Sequence, residues 1–399
     1  MIQEIELRVK SEFVKNYKEG YPLISKESIH NWEEVKQEGS IINLFDQKRN
    51  FILKAYHGIQ NKGYGWVLST DKNEKINTAF FRKKIESAIE YRKDFFADDD
   101  TTAFRVFNGE GDGIGGLTID YFNGYYLFTW YSLGIYEFKS EILEALQKSV
   151  EYKGIYQKKR FDSKGKYLDE KDDFICGEKA PAPLIVKENG AKFAIYLDDG
   201  AMVGVFLDQR DVRKTIRDRY AKGKTLLNTF SYTGAFSIFG ALGGASKTTS
   251  VDLAKRSLPK TTEQFEINGI DVEKQDIIVE DVFNYFKYAV KKNLLFDLVV
   301  LDPPSFARSK KRTFSASKDY VNLLKEAIQI TKKGGIIVAS TNSANFSMMT
   351  FSDFISKAFK ELKGRYEVLE RYSLPKDFRV SPKFREGDYL KVVFIKKIK

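Results

Sequence analysis

Three aspartates directly follow strand-like apolar runs in the second half of the chain. Asp252, Asp281 and Asp302 close the segments TTSVD, DIIVED and LFDLVVLD. In an open sheet of parallel strands, ligands bind beyond the carboxyl ends of the strands, so we expect these carboxylates to line one crevice. Carboxylates accept hydrogen bonds from hydroxyl and amino groups. Together with the polar end of the first strand, Asp252 and Asp281 predict a nucleoside-binding site, whereas each carboxylate alone is more often a solvated strand end.

A polar loop follows the first strand of the same half, TLLNTF. Its glycine, Gly234, is expected to let the backbone approach a ligand closely. Asp252 comes 18 residues later, the usual place for a carboxylate that accepts from ribose hydroxyls, and Asp281 is positioned to accept from an adenine amino group. The loop lacks the pattern GxGxxG, which disfavours a dinucleotide pyrophosphate. We therefore predict S-adenosylmethionine as the cofactor, bound by Asp252 and Asp281 and by Asn228, Phe230, Ser231, Tyr232, Thr233 and Gly234.

The fourth strand of this half ends in Asp302-Pro303-Pro304-Ser305-Phe306. The two prolines fix the backbone, so carbonyl groups and the ring of Phe306 are presented rigidly toward the crevice. Such a turn can accept hydrogen bonds from a base and stack it on the aromatic ring. The plainer interpretation is a proline-rich loop that only ends a strand.

A basic run and a regional excess of positive charge point to an RNA partner. Beside a catalytic crevice, the run would bind phosphates around a flipped or single-stranded base. The formal net charge of +11 is distributed as +1 over residues 1–75, −3 over 76–185 and +13 over 186–399. A basic region of this kind suggests a polyanionic partner, with nucleic acid first. The alternatives are a lysine-rich surface and a solvated face. The predicted RNA-binding residues are Arg308, Lys310, Lys311 and Arg312.

Strands and helices alternate from about residue 222 onward. Apolar runs without alternation predict a parallel sheet that is covered on both faces. The predicted strands are 225–230, 248–253, 276–281, 295–302 and 334–341, with a helix over 320–331. Two further strands, 366–374 and 389–397, are joined by a link that contains Pro375 and Pro382, so they should pair antiparallel. A doubly wound α/β sheet of seven mostly parallel strands with an antiparallel last strand is typical of class I methyltransferases.

The first half of the chain is organised differently. Residues 1–75 contain short alternating runs that predict a small β-rich domain, 76–185 predict an α+β middle domain, and 186–399 form the α/β domain. Within the middle domain we expect a helix at about 79–96 and a polar loop over 153–180. Asn189-Gly190 predicts the turn of a hairpin near the start of the third domain.

Cysteine and histidine counts exclude several classes of site. One cysteine, Cys176, excludes a disulfide framework, a zinc site built from several cysteines and an iron–sulfur cluster. Two histidines are too few for a histidine metal site, so we expect no metal. The N-terminus lacks the apolar core of a signal peptide, and no apolar run approaches the length of a membrane span. We therefore expect a cytoplasmic protein.

Over essentially its full length, the chain resembles the RlmI-like ribosomal RNA large-subunit methyltransferases. The resemblance rests on FNGEGDGIGGLTIDYF (107–122), VFLDQRDVRKTI (205–216), LLNTFSYTGAFSI (226–238), SVDLAKRSL, FEING, VVLDPPSFARSK (299–310) and EGDYLK (386–391). In that family an RNA-binding PUA domain and an α+β middle domain precede a Rossmann-like methyltransferase domain that uses S-adenosylmethionine. The resemblance implies the same order here and, as substrate, a base of 23S ribosomal RNA or a large-subunit precursor. It leaves a homodimer open.

The resemblance also implicates Gln209 and Arg210 in the cofactor site. From chemistry alone, Asp208 and Arg210 would equally form a structural ion pair at the entry to the domain. The resemblance implies cofactor contacts from the loop over 230–234 and from the three strand-end aspartates.

One position departs from the family in a way that bears on the reaction. Enzymes that make 5-methylcytosine need a cysteine thiolate, because carbon 5 of the pyrimidine is a poor nucleophile until a thiolate adds to carbon 6. In the resembling enzymes this cysteine follows the fifth strand, where this chain has Asn342. Asparagine cannot add covalently, and we interpret Cys176, in the expected polar loop, as a bystander.

Three hypotheses account for Asn342. In the first, the enzyme methylates a nitrogen, such as guanine N7 or an exocyclic amine, and its catalytic residues are Asp302, Pro303, Pro304, Phe306 and Asn342. In the second, the chain is an RNA-binding ribosome-assembly factor with a vestigial cofactor pocket. In the third, a loop movement brings Cys176 to the site. A nicotinamide oxidoreductase is disfavoured by the lack of GxGxxG and by the terminal strand pair.

Overall fold

The computed structural model describes residues 3–60, 63–161, 173–200, 202–308 and 313–399. The chain divides into two compact units. The first comprises Met1–Val186, Tyr196–Val203 and Lys376–Gly387, and the second comprises Lys187–Ile195, Gly204–Pro375 and Asp388–Lys399. The three-domain division with boundaries near residues 75 and 185 stays a prediction.

The first unit begins with a five-stranded sheet in the order β1-β3-β4-β5-β2. Its strands are β1 (Glu4–Arg8), β2 (Leu23–Ile24), β3 (Ile41–Phe45), β4 (Phe51–Gln60) and β5 (Gly63–Ser69). The prediction of a β-rich N-terminal region is confirmed. The helix α1 (Ser11–Lys18) was not predicted, because it has only eight residues and buries only Tyr17.

A second five-stranded sheet follows in the order β10-β9-β8-β7-β6. Its strands are β6 (Ala103–Asn108), β7 (Leu117–Phe122), β8 (Tyr125–Trp130), β9 (Gly154–Lys159) and β10 (Phe174–Gly177), and its helices are α2 (Thr78–Tyr91), α3 (Lys93–Phe96), α4 (Leu133–Tyr136) and α5 (Lys139–Gln147). The prediction of a loop over 153–180 is wrong for β9 and β10. β9 pairs in parallel with β8 and buries five of its six residues, including Gln157 and Lys158, so its polar composition concealed a strand.

The segment Lys376–Gly387 belongs to the first unit and completes a buried ionic cluster there. The fully buried Arg92 pairs with Asp112 through two hydrogen bonds of 3.1 and 2.7 Å. Its guanidinium also donates to the backbone carbonyl of Asp377 at 2.9 and 2.7 Å. The Asp377 carboxylate in turn accepts the N–H of Arg105 at 2.9 Å. This cluster fixes the C-terminal segment to the α+β region.

The second unit contains a seven-stranded sheet in the order β15-β14-β13-β16-β19-β21-β20. Before it, β11 (Leu184–Glu188) and β12 (Ala191–Ile195) form the predicted hairpin. The sheet strands are β13 (Thr225–Thr229), β14 (Lys247–Asp252), β15 (Asp276–Val279), β16 (Phe296–Leu301), β19 (Thr331–Thr341), β20 (Tyr366–Tyr372) and β21 (Lys391–Lys397), and β17 (Phe306–Arg308) and β18 (Thr313–Ser315) pair separately. β21 is antiparallel to both β19 and β20. The prediction of a seven-stranded, mostly parallel sheet is confirmed.

Helices cover both faces of this sheet. They are α6 (Arg210–Thr215, continued by a π-helical turn over Ile216–Tyr220), α7 (Ala235–Leu242), α8 (Ser257–Ile267), α9 (Val282–Lys291), α10 (Ala316–Ile330) and α11 (Met348–Glu361). Leu227 and Val299 are buried in one core with residues of α9, α10 and α11, whereas Leu226 and Val300 are buried in the other with residues of α6 and α7. Since successive residues are buried on opposite faces, the apolar runs do not alternate.

Two kinds of feature are absent from the described residues. No helix among them is both long and apolar enough to cross a membrane. The same residues contain no group of three or more histidine, cysteine, aspartate or glutamate side chains that would hold a metal ion.

Candidate active site

The loop between β13 and α7 holds three left-handed residues within five positions. Phe230, Tyr232 and Gly234 have φ angles of 56°, 51° and 80°. This conformation is costly for residues other than glycine, so surrounding contacts must hold it. The Ser231 N–H donates to the Val251 carbonyl at 3.1 Å. A Cβ at Gly234 would lie 2.5 Å from Cγ2 of Thr261, so this position requires glycine for both its φ and its packing. Its predicted approach to a ligand stays a prediction.

Asp252, at the end of β14, is oriented by two backbone N–H groups. Its Oδ2 accepts from Tyr232 at 2.9 Å and its Oδ1 accepts from Ala254 at 2.8 Å. The first bond joins the end of β14 to the loop after β13, so the structure brings these two predicted cofactor elements together. Each carboxylate oxygen has a second lone pair, which allows the side chain to accept from two vicinal hydroxyl groups.

Asp281 has a structural role that the sequence analysis did not anticipate. Its Oδ1 accepts from the N–H groups of Phe283 and Asn284 at 2.9 and 3.2 Å, which makes it the N-cap of α9. An N-cap aspartate satisfies amide groups that have no partner within the helix. The contact with an adenine amino group stays a prediction.

Asn228 and Thr233 also form contacts inside the protein. Asn228 is buried, and its Nδ2 donates to Oγ of Ser237 at 3.1 Å, while no partner is found for its Oδ1. The Thr233 hydroxyl donates to the carbonyl of Gly204 at 2.7 Å. These contacts attach the end of β13 and the loop that follows it to α7 and to the segment before α6.

Gln209 and Asp302 meet in one buried polar cluster at the ends of β16 and β19. The Gln209 Nε2 donates to Asp302 Oδ1 at 3.1 Å and to Ser340 Oγ at 2.7 Å. The Tyr320 hydroxyl donates to the Ser340 carbonyl at 2.8 Å. The Oε1 of Gln209 is buried and has no hydrogen-bond partner among the described residues. Ser340 and Tyr320 were not predicted, because their contacts join strands and helices that are distant in sequence.

The environment of Asp302 favours its protonated form. Burial raises the pKa of its carboxyl from 3.8 to about 6, and the carboxylate of Asp208 acts in the same direction. Hydrogen bonds from Ser340 and Gln209 lower the pKa, but they do not offset burial. A carboxyl that titrates just below neutral pH can accept from a cationic amino group or from a base.

Asp208 and Arg210 flank Gln209 in the predicted LDQR element. The Tyr389 hydroxyl donates to Asp208 Oδ2 at 2.9 Å. Arg210 is buried at the start of α6. The hydroxyl of Tyr389, which belongs to the segment EGDYLK, therefore holds the element that carries Gln209.

The proline turn and Asn342 lie side by side. Pro303 is buried and Pro304 is exposed, and the ring of Phe306 is 64% exposed at the start of β17. The Ser305 hydroxyl donates to Oδ1 of Asn342 at 2.6 Å. The structure thus brings the predicted catalytic turn and the position of the missing thiolate into direct contact, through a serine that the sequence analysis did not single out.

Lys391 holds the loop that carries Asn342. Its buried ammonium donates to the carbonyls of Ser343 and Tyr389 at 3.1 and 3.0 Å, and at 3.5 Å to that of Asp388. Burial lowers the pKa of Lys391. This lysine joins the loop after β19 to the turn before β21, and it is the last residue of the motif EGDYLK.

The remaining predicted residues lie outside this cluster or outside the described residues. Arg308 ends β17. Lys310, Lys311 and Arg312 lie outside the described residues, so the RNA-binding run stays a prediction. Cys176 is on β10 of the first unit, not in a loop, and Gln147 Nε2 donates to its Sγ at 3.4 Å.

The polar groups of this site fit S-adenosylmethionine. The unpartnered Oε1 of Gln209 and the carboxyl of Asp302 are acceptors, which suits an amino group, since a buried acceptor without a donor costs free energy. The carboxylate of Asp252 suits two ribose hydroxyls. The ring centroids of Tyr232 and Phe206 are 5.4 Å apart, and the two rings add an apolar surface to the loop between β13 and α7.

Comparisons with known proteins agree with this geometry. A family model described as S-adenosylmethionine-dependent methyltransferase matches residues 104–383, and one described as PUA-like domain matches residues 7–70. The ribosomal RNA large subunit methyltransferase YwbD of Bacillus subtilis (strain 168) is 56% identical over 393 residues, covering 98% of this chain and 99% of the relative. Ribosomal RNA large subunit methyltransferase I of Pseudoalteromonas translucida (strain TAC 125) is 29% identical over 96% of both chains.

A solved structure covers nearly the whole chain. The crystal structure of SMU.776, described as a methyltransferase complexed with SAH, is 38% identical and has a TM-score of 0.91. It covers 99% of this chain and 100% of the other. The described contacts and these likenesses therefore point to the same cofactor chemistry.

Proposed function

We propose, from the premise that this chain belongs to the S-adenosylmethionine-dependent methyltransferase family, that it methylates a base of large-subunit ribosomal RNA. The observation that carries this proposal is the 56% identity, over nearly the full length of both chains, to a relative named for that reaction. The contact between the Asp302-Pro303-Pro304-Ser305 turn and Asn342 supports it, because this is where a base would be presented.

The cofactor supplies a methyl group on a positively charged sulfur. We propose that Asp252 and Asp281 hold its nucleoside, that Gln209 and Asp302 accept from its amino group, and that Arg210 completes the site. The loop from Phe230 to Gly234 forms the wall beside it. In this assignment the orphaned acceptor of Gln209 gains its donor only when the cofactor binds.

The acceptor is a nitrogen of the base. When bound, S-adenosylmethionine would supply the methyl group, and the lone pair of the base nitrogen would accept it as the bond from that methyl group to sulfur breaks. No covalent activation of the base is needed, and Asn342 can supply none. The residues of the turn orient the base: Asp302 and the carbonyls fixed by Pro303 and Pro304 accept hydrogen bonds, while the exposed ring of Phe306 offers a stacking surface.

Nucleoside mass spectrometry tests this function. We expect large-subunit ribosomal RNA from cells without the gene to lose one methylated nucleoside, and the purified protein to restore it with S-adenosylmethionine. Loss of 5-methylcytosine would contradict the nitrogen acceptor, and Cys176→Ala would then test the thiolate route. Absence of transfer to ribosomal RNA and to every precursor subunit would instead favour an assembly factor with a vestigial cofactor pocket.

The wider assignments follow from the same proposal. We propose that residues 1–75 bind RNA, that residues 76–185 form a middle domain, and that residues 186–399 carry catalysis together with Arg308, Lys310, Lys311 and Arg312 as phosphate contacts. A cytoplasmic location and a homodimer belong to the proposal as well. Light scattering of the purified protein distinguishes the dimer from a monomer.

A further inference from the structure

The side-chain carbonyl oxygen of Asn342 already accepts a hydrogen bond within the protein. The Ser305 hydroxyl donates to its Oδ1 at 2.6 Å, and the Asn342 side chain is otherwise exposed. An amide offers a carbonyl acceptor on one side and two N–H donors on the other. Since the serine fixes the carbonyl side, the amino group is the side left to meet a ligand.

Both ends of this contact are held by the backbone. Pro303 and Pro304 restrict the turn that carries Ser305, and the Ser305 carbonyl accepts from the N–H of Ala316 at 3.0 Å. On the other side, the buried ammonium of Lys391 holds the carbonyl of Ser343, the residue after Asn342. The backbone that carries each side chain is therefore held in place, and the contact with Ser305 leaves the Asn342 amino group on the opposite side of the amide.

The direction of the amide decides which base edges it can recognise. An asparagine with both sides available pairs with the donor and acceptor of an adenine edge, whereas a side chain that only donates pairs with edges that present acceptors. Guanine has such an edge through N7 and its carbonyl oxygen, and uracil has one through its carbonyl oxygens, whereas the amino groups of adenine and cytosine oppose a donor.

We propose that Asn342, oriented by Ser305, donates to an acceptor of the target base and selects a base with a carbonyl at that edge. This inference rests on the proposed function and specifies its substrate class. It assigns to the position of the family's thiolate a recognition role, and it assigns to Ser305 a positioning role. An exocyclic amine facing Asn342 is disfavoured.

The test compares two substitutions in the same loop. Asn342→Asp keeps the shape and the acceptor for Ser305 but removes both donors, while Asn345→Asp places the same charge at an exposed position three residues away. With an unmethylated RNA fragment that carries the target base as substrate, we expect kcat/KM to fall by about 10- to 100-fold for Asn342→Asp, as for loss of a base contact. We expect Asn345→Asp to stay within about threefold, and calorimetry to give unchanged S-adenosylmethionine affinity for both variants.

A base-analogue substrate separates recognition from structure. We expect the wild-type protein to discriminate against an RNA in which the target carbonyl is replaced by an amino group, and Asn342→Asp to lose or reverse that preference. Ser305→Ala should weaken the preference and Ser305→Thr should retain it, because threonine keeps the hydroxyl. The two serine variants decide the question if Asn342→Asp fails to fold.

Failure of the recognition role and failure of the proposed function give different results. If the wild-type protein methylates RNA and Asn342→Asp behaves as Asn345→Asp does, with the same preference between substrates, the recognition role is overturned and the proposed function stands. If the wild-type protein methylates no ribosomal RNA, the proposed function itself is wrong and the inference falls with it.

Discussion

Two buried polar clusters, one in each unit, differ in how completely their hydrogen bonds are satisfied. In the first unit, Arg92 directs its donors to both oxygens of Asp112, to the carbonyl of Asp377 and to that of Ala88. In the second unit, Gln209 donates to Asp302 and Ser340 but leaves its own Oε1 without a partner. A satisfied cluster supports the fold, whereas an incomplete one retains a binding capacity that a ligand can use.

The largest expected effect is on the stability of the first cluster. Arg92→Met leaves Asp112 as a buried charge without its main partner, so we expect the free energy of unfolding to fall by about 3–5 kcal/mol. The matched control is Arg82→Met, whose exposed partner Glu86 lies at 2.7 Å, with an expected change of no more than about 1 kcal/mol. Urea denaturation of both variants measures the difference. Equal losses would show that the Arg92 cluster is not a structural support.

The second cluster should lose activity without losing stability. We expect Asp302→Asn to lower kcat/KM for methyl transfer by roughly 100-fold, because a charged group positioned at the reacting centre is removed. Its unfolding midpoint in urea at pH 8 should be no lower than that of the wild type, because burial disfavours the charged carboxylate that the wild type carries at that pH. A variant with full activity would remove Asp302 from the site.

The raised pKa of Asp302 also predicts a pH dependence of stability. The carboxyl titrates at 3.8 in the unfolded chain and at about 6 in the folded one, so the folded state binds the proton more tightly. The stability that this proton contributes is present at low pH and is lost as pH rises through about 6. Relative to Asp302→Asn, the wild-type unfolding midpoint should therefore fall between pH 4 and pH 7. A flat difference across this range would contradict the shift.

The smallest expected effect distinguishes Gln209, whose side-chain oxygen has no partner among the described residues, from a buried glutamine whose amide is hydrogen-bonded on both sides. Gln209→Met removes the unpartnered acceptor together with the hydrogen bonds donated to Asp302 and Ser340, so we expect about tenfold weaker S-adenosylmethionine binding and a loss of stability of about 1–2 kcal/mol. Gln264 is also buried, but its amide pairs on both sides with Ala194, at 2.9 and 3.0 Å. Gln264→Met should therefore destabilise the fold and leave affinity unchanged. Calorimetry and urea denaturation of both variants provide the measurements, and identical behaviour would remove the distinction.

The sequence predicted the parts of the fold and site that depend on local pattern. The strands of the seven-stranded sheet were predicted correctly, because continuous burial on both faces leaves apolar runs such as LFDLVVLD. β9 was missed because Gln157 and Lys158 are polar residues that are buried, and no local sequence pattern predicts their burial. Asp252 and Asp302 were placed correctly at strand ends, but whether they bind the cofactor is still a prediction.

The through-space partners of the site were not predictable. Ser305 and Asn342 are 37 residues apart, and Gln209 and Ser340 are 131 apart, so only the sheet order brings each pair together. Lys391 belongs to a recognised motif, yet its role became visible only through the carbonyls that it holds. Asp281 illustrates the opposite case, because the strand-end position suggested a ligand contact and the structure adds a helix cap.

The location of Asp377 has a consequence for the order of events during synthesis. The first unit takes in Lys376–Gly387, after most of the second unit has been translated. The carbonyl of Asp377, which accepts from Arg92, is therefore translated 285 residues after it. The first unit is therefore complete only after residue 387 has been translated. A chain that ended before residue 377 would leave the donors Nε and Nη2 of Arg92 without the backbone carbonyl that they contact in the finished protein.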